Sequence, residues 1–394
     1  MKKHWRVGIV TNENAEDRRV WSGITSYIFQ ALQQEFDEVI LLGPLQPEKN
    51  GLRKAHFISR KIAQALEIFT RNISKSRHAH EFGLLHSFIS AQFFKRQLKK
   101  RGRFDFLVVP ASHVSVSLLQ TKIPIILVTD ATFYLLNGYY PDLSDLSILS
   151  RKEFYATEQL AFDKASYAIF SSQWAANSAM NNYGVPSDKI KIIPFGANID
   201  NAPTRESVIL LRQRFSYRLL FAGVDWKRKG GAIALECVAA LRSMGIDVKL
   251  TICGCEPMEP VDSSYVKVIK FLDKNQSVDC EQLIELLKES DFLLLPTRAD
   301  FTPIVFCEAA AYGMPVITTD TGGISDVIDE GKTGFLLPYE ATGSEYAKLI
   351  ASLYSDKLAY DSLVLNSQEK YEKVLNWRIW ANSFKSIVTR GFTE

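Results

Sequence analysis

Short runs of apolar, β-branched residues recur along this chain and alternate with stretches of helical periodicity. In the first half they fall at residues 7–11, 38–42, 106–109, 125–129, 168–171 and 190–194. In the second half they fall at 218–222, 249–253, 266–271, 292–296, 315–318 and 334–338. Runs that are apolar throughout, rather than at every second residue, predict strands buried on both faces, as in parallel sheets covered by helices. Twelve such runs in two groups of six predict an α/β chain of two doubly wound, Rossmann-like parallel-sheet domains. The length of 394 residues exceeds what one core usually supports, which agrees with two domains. The break is expected within residues 195–205 (FGANIDNAPTR), a polar stretch rich in turn formers. The expected division is 1–197, 198–375 and a terminal segment 376–394. In that segment Trp377, Trp380, Phe384, Ile387 and Val388 follow helical spacing, and the helix is expected to cross back onto the first domain.

The net charge of +3 predicts no partner for the chain as a whole, and nucleic acid is not expected. Five cysteines, at 237, 253, 255, 280 and 307, form no repeating pair. They fit a reducing compartment and argue against disulfides or a zinc site, so no metal is expected. No secretory leader is visible, and no run approaches the eighteen apolar residues that a membrane span needs. The expected location is cytoplasmic. One segment departs from this balance. Residues 53–103 hold thirteen Lys and Arg against two acids, Glu67 and Glu81, eleven net positive charges, with Phe and aliphatic residues interleaved. This reads as two basic amphipathic helices. They form either a solvated face or a surface for an anionic membrane or a phosphorylated acceptor, which would make the protein peripheral on the inner face of the membrane.

The chemistry concentrates in residues 299–323 (ADFTPIVFCEAAAYGMPVITTDTGG). A buried strand ends near Pro296, and a loop then carries Asp300. Thr302 and Pro303 read as the N-cap and first residue of a helix that stops at Gly313. Ligands of open α/β sheets sit at the carboxyl ends of strands. The free N–H groups near Ile304 and Val305 would suit phosphate. Carboxylates accept from hydroxyls, so Asp300 would take sugar hydroxyls and Glu308 a ribose diol. Glu308, flanked by Phe306, Cys307 and Ala309, is a poor candidate for a freely solvated face, and with Lys229 it is expected to line an open cleft. A phosphate held between two hydroxyl-binding acids describes a nucleotide sugar.

Acid, seven residues, acid, then Ala-x-x-x-Gly-x-Pro-Val-Ile and a Gly-Gly loop resembles the donor site of the retaining GT-B glycosyltransferases of family GT4. Asp300 stands where the family usually has Glu, Phe301-Thr302-Pro303 stands in for Gly-Phe-Gly, and Glu308 matches. Residues 220–230 (LFAGVDWKRKG) are similar to the strand and loop that bring Arg and Lys to the donor pyrophosphate. Lys229 is in the lysine place; Val224 is in the arginine place, so Arg228 or Lys227 would supply the second cation. Residues 252–257 (ICGCEP), with Gly254, resemble the turn lining the base, and 171–196 the last stretch before the interdomain link. The resemblance covers about 168–338. It implies transfer with retention from a UDP-, GDP- or similar sugar to a glycan, lipid-linked or other hydroxyl acceptor, as in polysaccharide or glycoconjugate synthesis.

Leaving-group charge must be neutralised, and no two aspartates lie two apart as in Asp-x-Asp. Lys229, Arg228 and the amides near Ile304 and Val305 can do this without metal or other cofactor. In the first half, residues 124–133 (PIILVTDATF) resemble the family strand ending at a histidine that contacts the donor sugar; here Asp130 is nearest to that place. His113, which ends the preceding strand, is the second candidate. Gly23 is expected to open the helix after the first strand, on the acceptor side, and Tyr139 and Tyr140 to border the acceptor. Two other readings share these features: a nucleotide-sugar epimerase on the same architecture, and a catalytically weak sugar-nucleotide-binding partner protein. A dinucleotide-binding dehydrogenase is disfavoured, because no Gly-x-Gly-x-x-Gly follows the first strand.

Overall fold

A computed structural model describes residues 4–45, 61, 67, 76–140 and 143–392. The chain divides into two compact units, Met1–Ile193 and Pro194–Glu394.

All twelve expected strands form. In the first unit they are β1 (Arg6–Ile9), β2 (Glu38–Leu41), β3 (Phe106–Pro110), β4 (Ile125–Thr129), β5 (Tyr167–Phe170) and β6 (Ile190–Ile192). In the second they are β7 (Arg218–Ala222), β8 (Lys249–Cys253), β9 (Val266–Ile269), β10 (Phe292–Leu295), β11 (Val316–Thr319) and β12 (Gly334–Leu337). The sheet orders are β2-β1-β3-β4-β5-β6 and β12-β11-β10-β7-β8-β9. Every registered pair is parallel. The central strands are buried along their whole length, β3 and β10 among them, which is why they read as unbroken apolar runs.

Each order reverses once. In the first sheet the reversal lies between β1 and β3, in the second between β7 and β10. Loops leaving such a pair diverge to opposite faces and open a crevice at the carboxyl ends of the strands. The first crevice is bridged by Ser115 Oγ, which donates to Asn12 Oδ1 (2.6 Å). In the second, Arg298 N–H donates to the Arg228 carbonyl (2.7 Å), tying the loops after β10 and β7 together.

The second unit is fastened at the opposite end of β10. Buried Asp291 accepts from Ser216 N–H (3.0 Å) and Tyr354 OH (3.1 Å). Arg212, also buried, donates to the Leu287 carbonyl (2.6 Å), the Tyr312 carbonyl (3.2 Å) and the Ser290 carbonyl. One guanidinium thus satisfies carbonyls at the ends of two helices, Ser277–Glu289 and Ile304–Ala311, which would otherwise lack partners.

The first of the two expected basic helices lies outside the described residues, apart from Lys61 and Glu67. The second forms as Leu84–Arg101. Its Phe93 and Phe94 are buried in the core, while Lys95, Arg96, Lys99, Lys100 and Arg101 are exposed, as is Arg103 beyond it. The terminal helix runs Trp377–Phe392, with Trp377, Trp380, Phe384 and Val388 buried.

Candidate functional site

The loop after β7 is built around its glycines. Gly230 has φ 76°, and a Cβ there would sit 1.9 Å from the Pro296 carbonyl oxygen, so only glycine lets the loops after β7 and β10 close on each other. At Gly223 a Cβ would come within 2.8 Å of Lys229 Cγ, so the lysine stem lies across the bare backbone. Asp225 closes the turn: its Oδ1 accepts from Arg228 N–H (3.1 Å) and its carbonyl from Lys229 N–H (3.0 Å). Trp226 packs on Phe221 and donates Nε1–H to Glu259 (2.6 Å).

These constraints aim two cations at the loop after β10. Lys229 Nζ pairs with Asp300 Oδ2. The Arg228 guanidinium lies 3.9 Å from the same oxygen and 3.5 Å from Asp225, and it donates to the Ala299 carbonyl (2.9 Å). Thr297 Oγ1 is 3.4 Å from Asp300 Oδ2. Buried Lys229 and Asp300 and partly buried Arg228, drawn from two loops about seventy residues apart in sequence, thus form one charged group.

Residues 302–305 differ from expectation by one position. Pro303, not Thr302, occupies the N-cap, with ψ 112°, and the helix is Ile304–Ala311. Proline has already left helical geometry there, so Thr302 falls a residue too early to cap; it is buried instead. No side chain caps this helix among the described residues. Phe306 N–H returns to the Pro303 carbonyl (3.0 Å), which leaves the Ile304 and Val305 amides at the open helix start. Gly313, at φ 59°, ends the helix as expected.

Glu308 is only 1% exposed and Lys229 8%, so neither lines an open wall. Each is covered by its partner. For Glu308 that partner is Lys274, whose Nζ lies 2.5 Å from Oε1. Sequence reasoning missed Lys274: a lysine in a turn thirty-four residues earlier carries no signal of this pairing. Gly254, with φ 102°, follows β8 and approaches Gly223. Burial raises the flanking thiols, Cys253 and Cys255, to about 11 each. None of the five cysteines is in a disulfide bond. Among the described residues no group of three or more His, Cys, Asp or Glu side chains could hold a metal ion.

In the first unit, Trp21, Ser22 and Gly23 take left-handed conformations in succession (φ 46°, 55° and 87°), and Gly23 is the N-cap of the helix Ile24–Glu35. Two consecutive non-glycine residues in that region store strain. The turn brings Trp21 Nε1–H to Asp130 Oδ2 (3.3 Å), across from the end of β4. The next turn is held rigidly. Phe133 N–H donates to buried Glu158 (2.8 Å), Tyr134 N–H to Tyr183 Oη (3.2 Å), and Thr132 bonds Ser178 (2.7 Å). Burial raises Glu158 to about 7. His113 is not beside this turn's polar groups by any hydrogen bond among the described residues. Its ring stacks on Phe154 (5.4 Å), which itself stacks on Phe82 and Phe133, and burial lowers it to about 4. Its Nε2 is buried without a partner among the described residues. His113 is therefore a neutral imidazole at neutral pH. Tyr139 and Tyr140 stack on each other (5.8 Å), and Tyr139 meets Trp174 (5.8 Å).

The fold, two six-stranded parallel sheets with helices, is the GT-B architecture. Residues 216–356, within the second unit, match the family described as glycosyl transferases group 1. The chain is 27% identical over 213 residues to a D-inositol 3-phosphate glycosyltransferase of Paenarthrobacter aurescens, covering 50% of this chain and 51% of that one. The chain spans about half the length of the first curated relatives it matches. Among solved structures, sucrose-phosphate synthase from Thermosynechococcus elongatus superposes with a TM-score of 0.67 at 14% identity, covering 99% of this chain and 100% of that one. An Anabaena protein in complex with UDP and glucose superposes with a TM-score of 0.60 at 15% identity, covering 98% and 100%. At such identities these structures speak for the fold alone.

Proposed function

We propose that this protein is a retaining, metal-independent glycosyltransferase that moves a hexosyl group from a nucleoside diphosphate sugar to a hydroxyl of a glycan or lipid-linked acceptor. The observation that carries the reading is the charged group Lys229–Arg228–Asp300 at the β7/β10 reversal, next to the open amides of Ile304 and Val305. A departing diphosphate needs positive charge that is already in place. Lys229 and the helix start supply it, the helix through its aligned peptide dipoles. Once Lys229 moves to phosphate, Asp300 is released to accept from the sugar hydroxyls. Glu308 takes the ribose diol. Asp130, held by Trp21, is the first unit's candidate for the donor sugar, and neutral His113 supports that turn through the aromatic stack. Attack from the leaving-group face needs no enzymatic nucleophile, and none is proposed.

The test is to incubate the full chain with UDP-, GDP- and ADP-sugars, with and without EDTA, and follow donor loss by mass spectrometry. The reading expects hydrolysis or transfer with one of these donors, surviving chelation. Turnover that requires manganese or magnesium would overturn the metal-independent part. Release of an isomerised sugar nucleotide, with no diphosphate formed, would replace transfer by epimerisation.

The acceptor is proposed to be anionic or membrane-borne. The exposed cations of the helix Leu84–Arg101 support this, together with exposed Leu84, Leu85 and Phe88 at its start and exposed Ile148 and Leu149 at the start of Ile148–Lys164. Among the described residues no helix is long and apolar enough to cross a membrane.

A further inference from the structure

We propose that Lys274 is the second cation of the nucleotide site, and that it leaves Glu308 for the diphosphate when the donor enters. This rests on the donor site proposed above. The position directly after Gly223 offers no charge, since Val224 is aliphatic and 65% exposed. Arg228 is committed to the protein itself: its guanidinium reaches Asp225, Asp300 and the Ala299 carbonyl, and its side chain is 15% exposed. It holds the loop after β10 in shape, and turning it outward would undo those contacts.

Lys274 is built differently. Its backbone is fixed in the turn after β9. Asp273 N–H donates to Asp279 (2.7 Å), Asn275 N–H to Asp273 (2.9 Å), and the Cys280 thiol to the Lys274 carbonyl (3.1 Å). Its side chain reaches across to Glu308 and stays 24% exposed, so it is not sealed in as the Glu308 side chain is.

Each of the two acids proposed to bind hydroxyls is covered by one lysine: Asp300 by Lys229, Glu308 by Lys274. A ribose diol cannot reach Glu308 while Lys274 occupies it. A diphosphate offers the ammonium a better-matched anion, and a lysine's four-carbon stem permits the swing. Phosphate binding and ribose binding are thereby coupled, and the site discriminates a nucleoside diphosphate from a bare nucleoside.

The test is calorimetric titration of UDP, GDP, uridine and guanosine into the full chain, for wild type, Lys274→Gln and Lys274→Arg, at low and high salt. Glutamine can still donate to Glu308, so the fold is kept, and thermal melts check this. Lys274→Gln is expected to weaken diphosphate binding at least tenfold and flatten its salt dependence. Nucleoside binding should stay unchanged or tighten, and Lys274→Arg should restore most diphosphate affinity. Equal weakening of nucleoside and diphosphate, or no change in either, overturns the inference. A wild type that binds neither diphosphate counts against the donor site itself.

Discussion

Glu308 and Lys229 are charged groups held where water hardly reaches, and only a partner makes that tolerable. Removing one member of a buried pair typically costs about 3–5 kcal/mol. Here both residues have a fallback. Lys274 can turn to solvent if Glu308 loses its charge, and Asp300 keeps Arg228 and Thr297 if Lys229 is lost. Glu308→Gln and Lys229→Ala should therefore stay folded at some cost in melting temperature, yet lose nearly all transfer. Turnover within a few-fold of wild type in either variant would remove it from the site. Asp300 and Glu308 stood out in the sequence because acids rarely interrupt a core-like run, and both are buried. Lys274 was not, because only the fold brings it to Glu308. The left-handed turn at Trp21 and Ser22 was equally hidden, since nothing in those residue types demands it.

Two buried groups of the first unit make a further prediction about pH. Glu158 is raised from 4.5 to about 7, so the folded protein favours its neutral form; its contribution is full below pH 4.5 and is lost as pH rises to 7. His113 is lowered from 6.5 to about 4, again favouring the neutral form; its contribution is full above pH 6.5 and is lost as pH falls to 4. Each shift corresponds to about 3 kcal/mol at most. Between pH 4.5 and 6.5 the two slopes oppose each other. In melts across that window, Glu158→Gln should make stability rise with pH relative to wild type, and His113→Asn should make it fall. Parallel pH profiles for all three proteins would contradict the assignment.

At the scale of elements, all twelve strands were legible because a parallel strand covered on both faces must be apolar throughout. The helix after Asp300 was legible too, but its start was misjudged by a residue. Thr-Pro suits a cap and first turn, yet Pro303 keeps an extended ψ and is itself the cap. Short helices such as His113–Val116 carry too few residues for a periodic signal. The clamp by Arg212 was also invisible, because its three carbonyl partners belong to distant turns. Arg212→Met should fill similar space without donors, leaving those carbonyls unpaired, and should lower stability by about 3 kcal/mol; denaturant unfolding would measure it. Gly230→Ala should be comparably harmful, since the added carbon meets the Pro296 carbonyl and the left-handed backbone disfavours it. A Gly230→Ala protein as stable and active as wild type would show that the loops after β7 and β10 do not need this approach.

At the scale of the whole molecule, two units of nearly equal size divide the work. The second carries the family match and the paired acids and lysines; the first carries the basic helix and the rigid turn beyond Asp130. Each exposed Lys or Arg near an anionic membrane contributes about 1 kcal/mol, so several together suffice for reversible binding. Raising salt from 0.1 M to 1 M shortens the screening length from about 10 Å to about 3 Å. Co-sedimentation with anionic vesicles should therefore fall with salt, but not to zero, because Leu84, Leu85 and Phe88 add apolar contact. Changing Lys95, Arg96, Lys99 and Lys100 to Glu should sharply reduce the low-salt binding; no low-salt binding by wild type would point to a soluble acceptor. The central claim, that the Lys229–Arg228–Asp300 group serves a nucleoside diphosphate sugar, has a more direct test. The measurement is release of nucleoside diphosphate from the donor that the wild type uses, compared with Lys229→Ala at matched folded concentration. A fall of a hundredfold or more in Lys229→Ala is the predicted result. Equal release by both proteins, or none by the wild type with any sugar nucleotide, would contradict it.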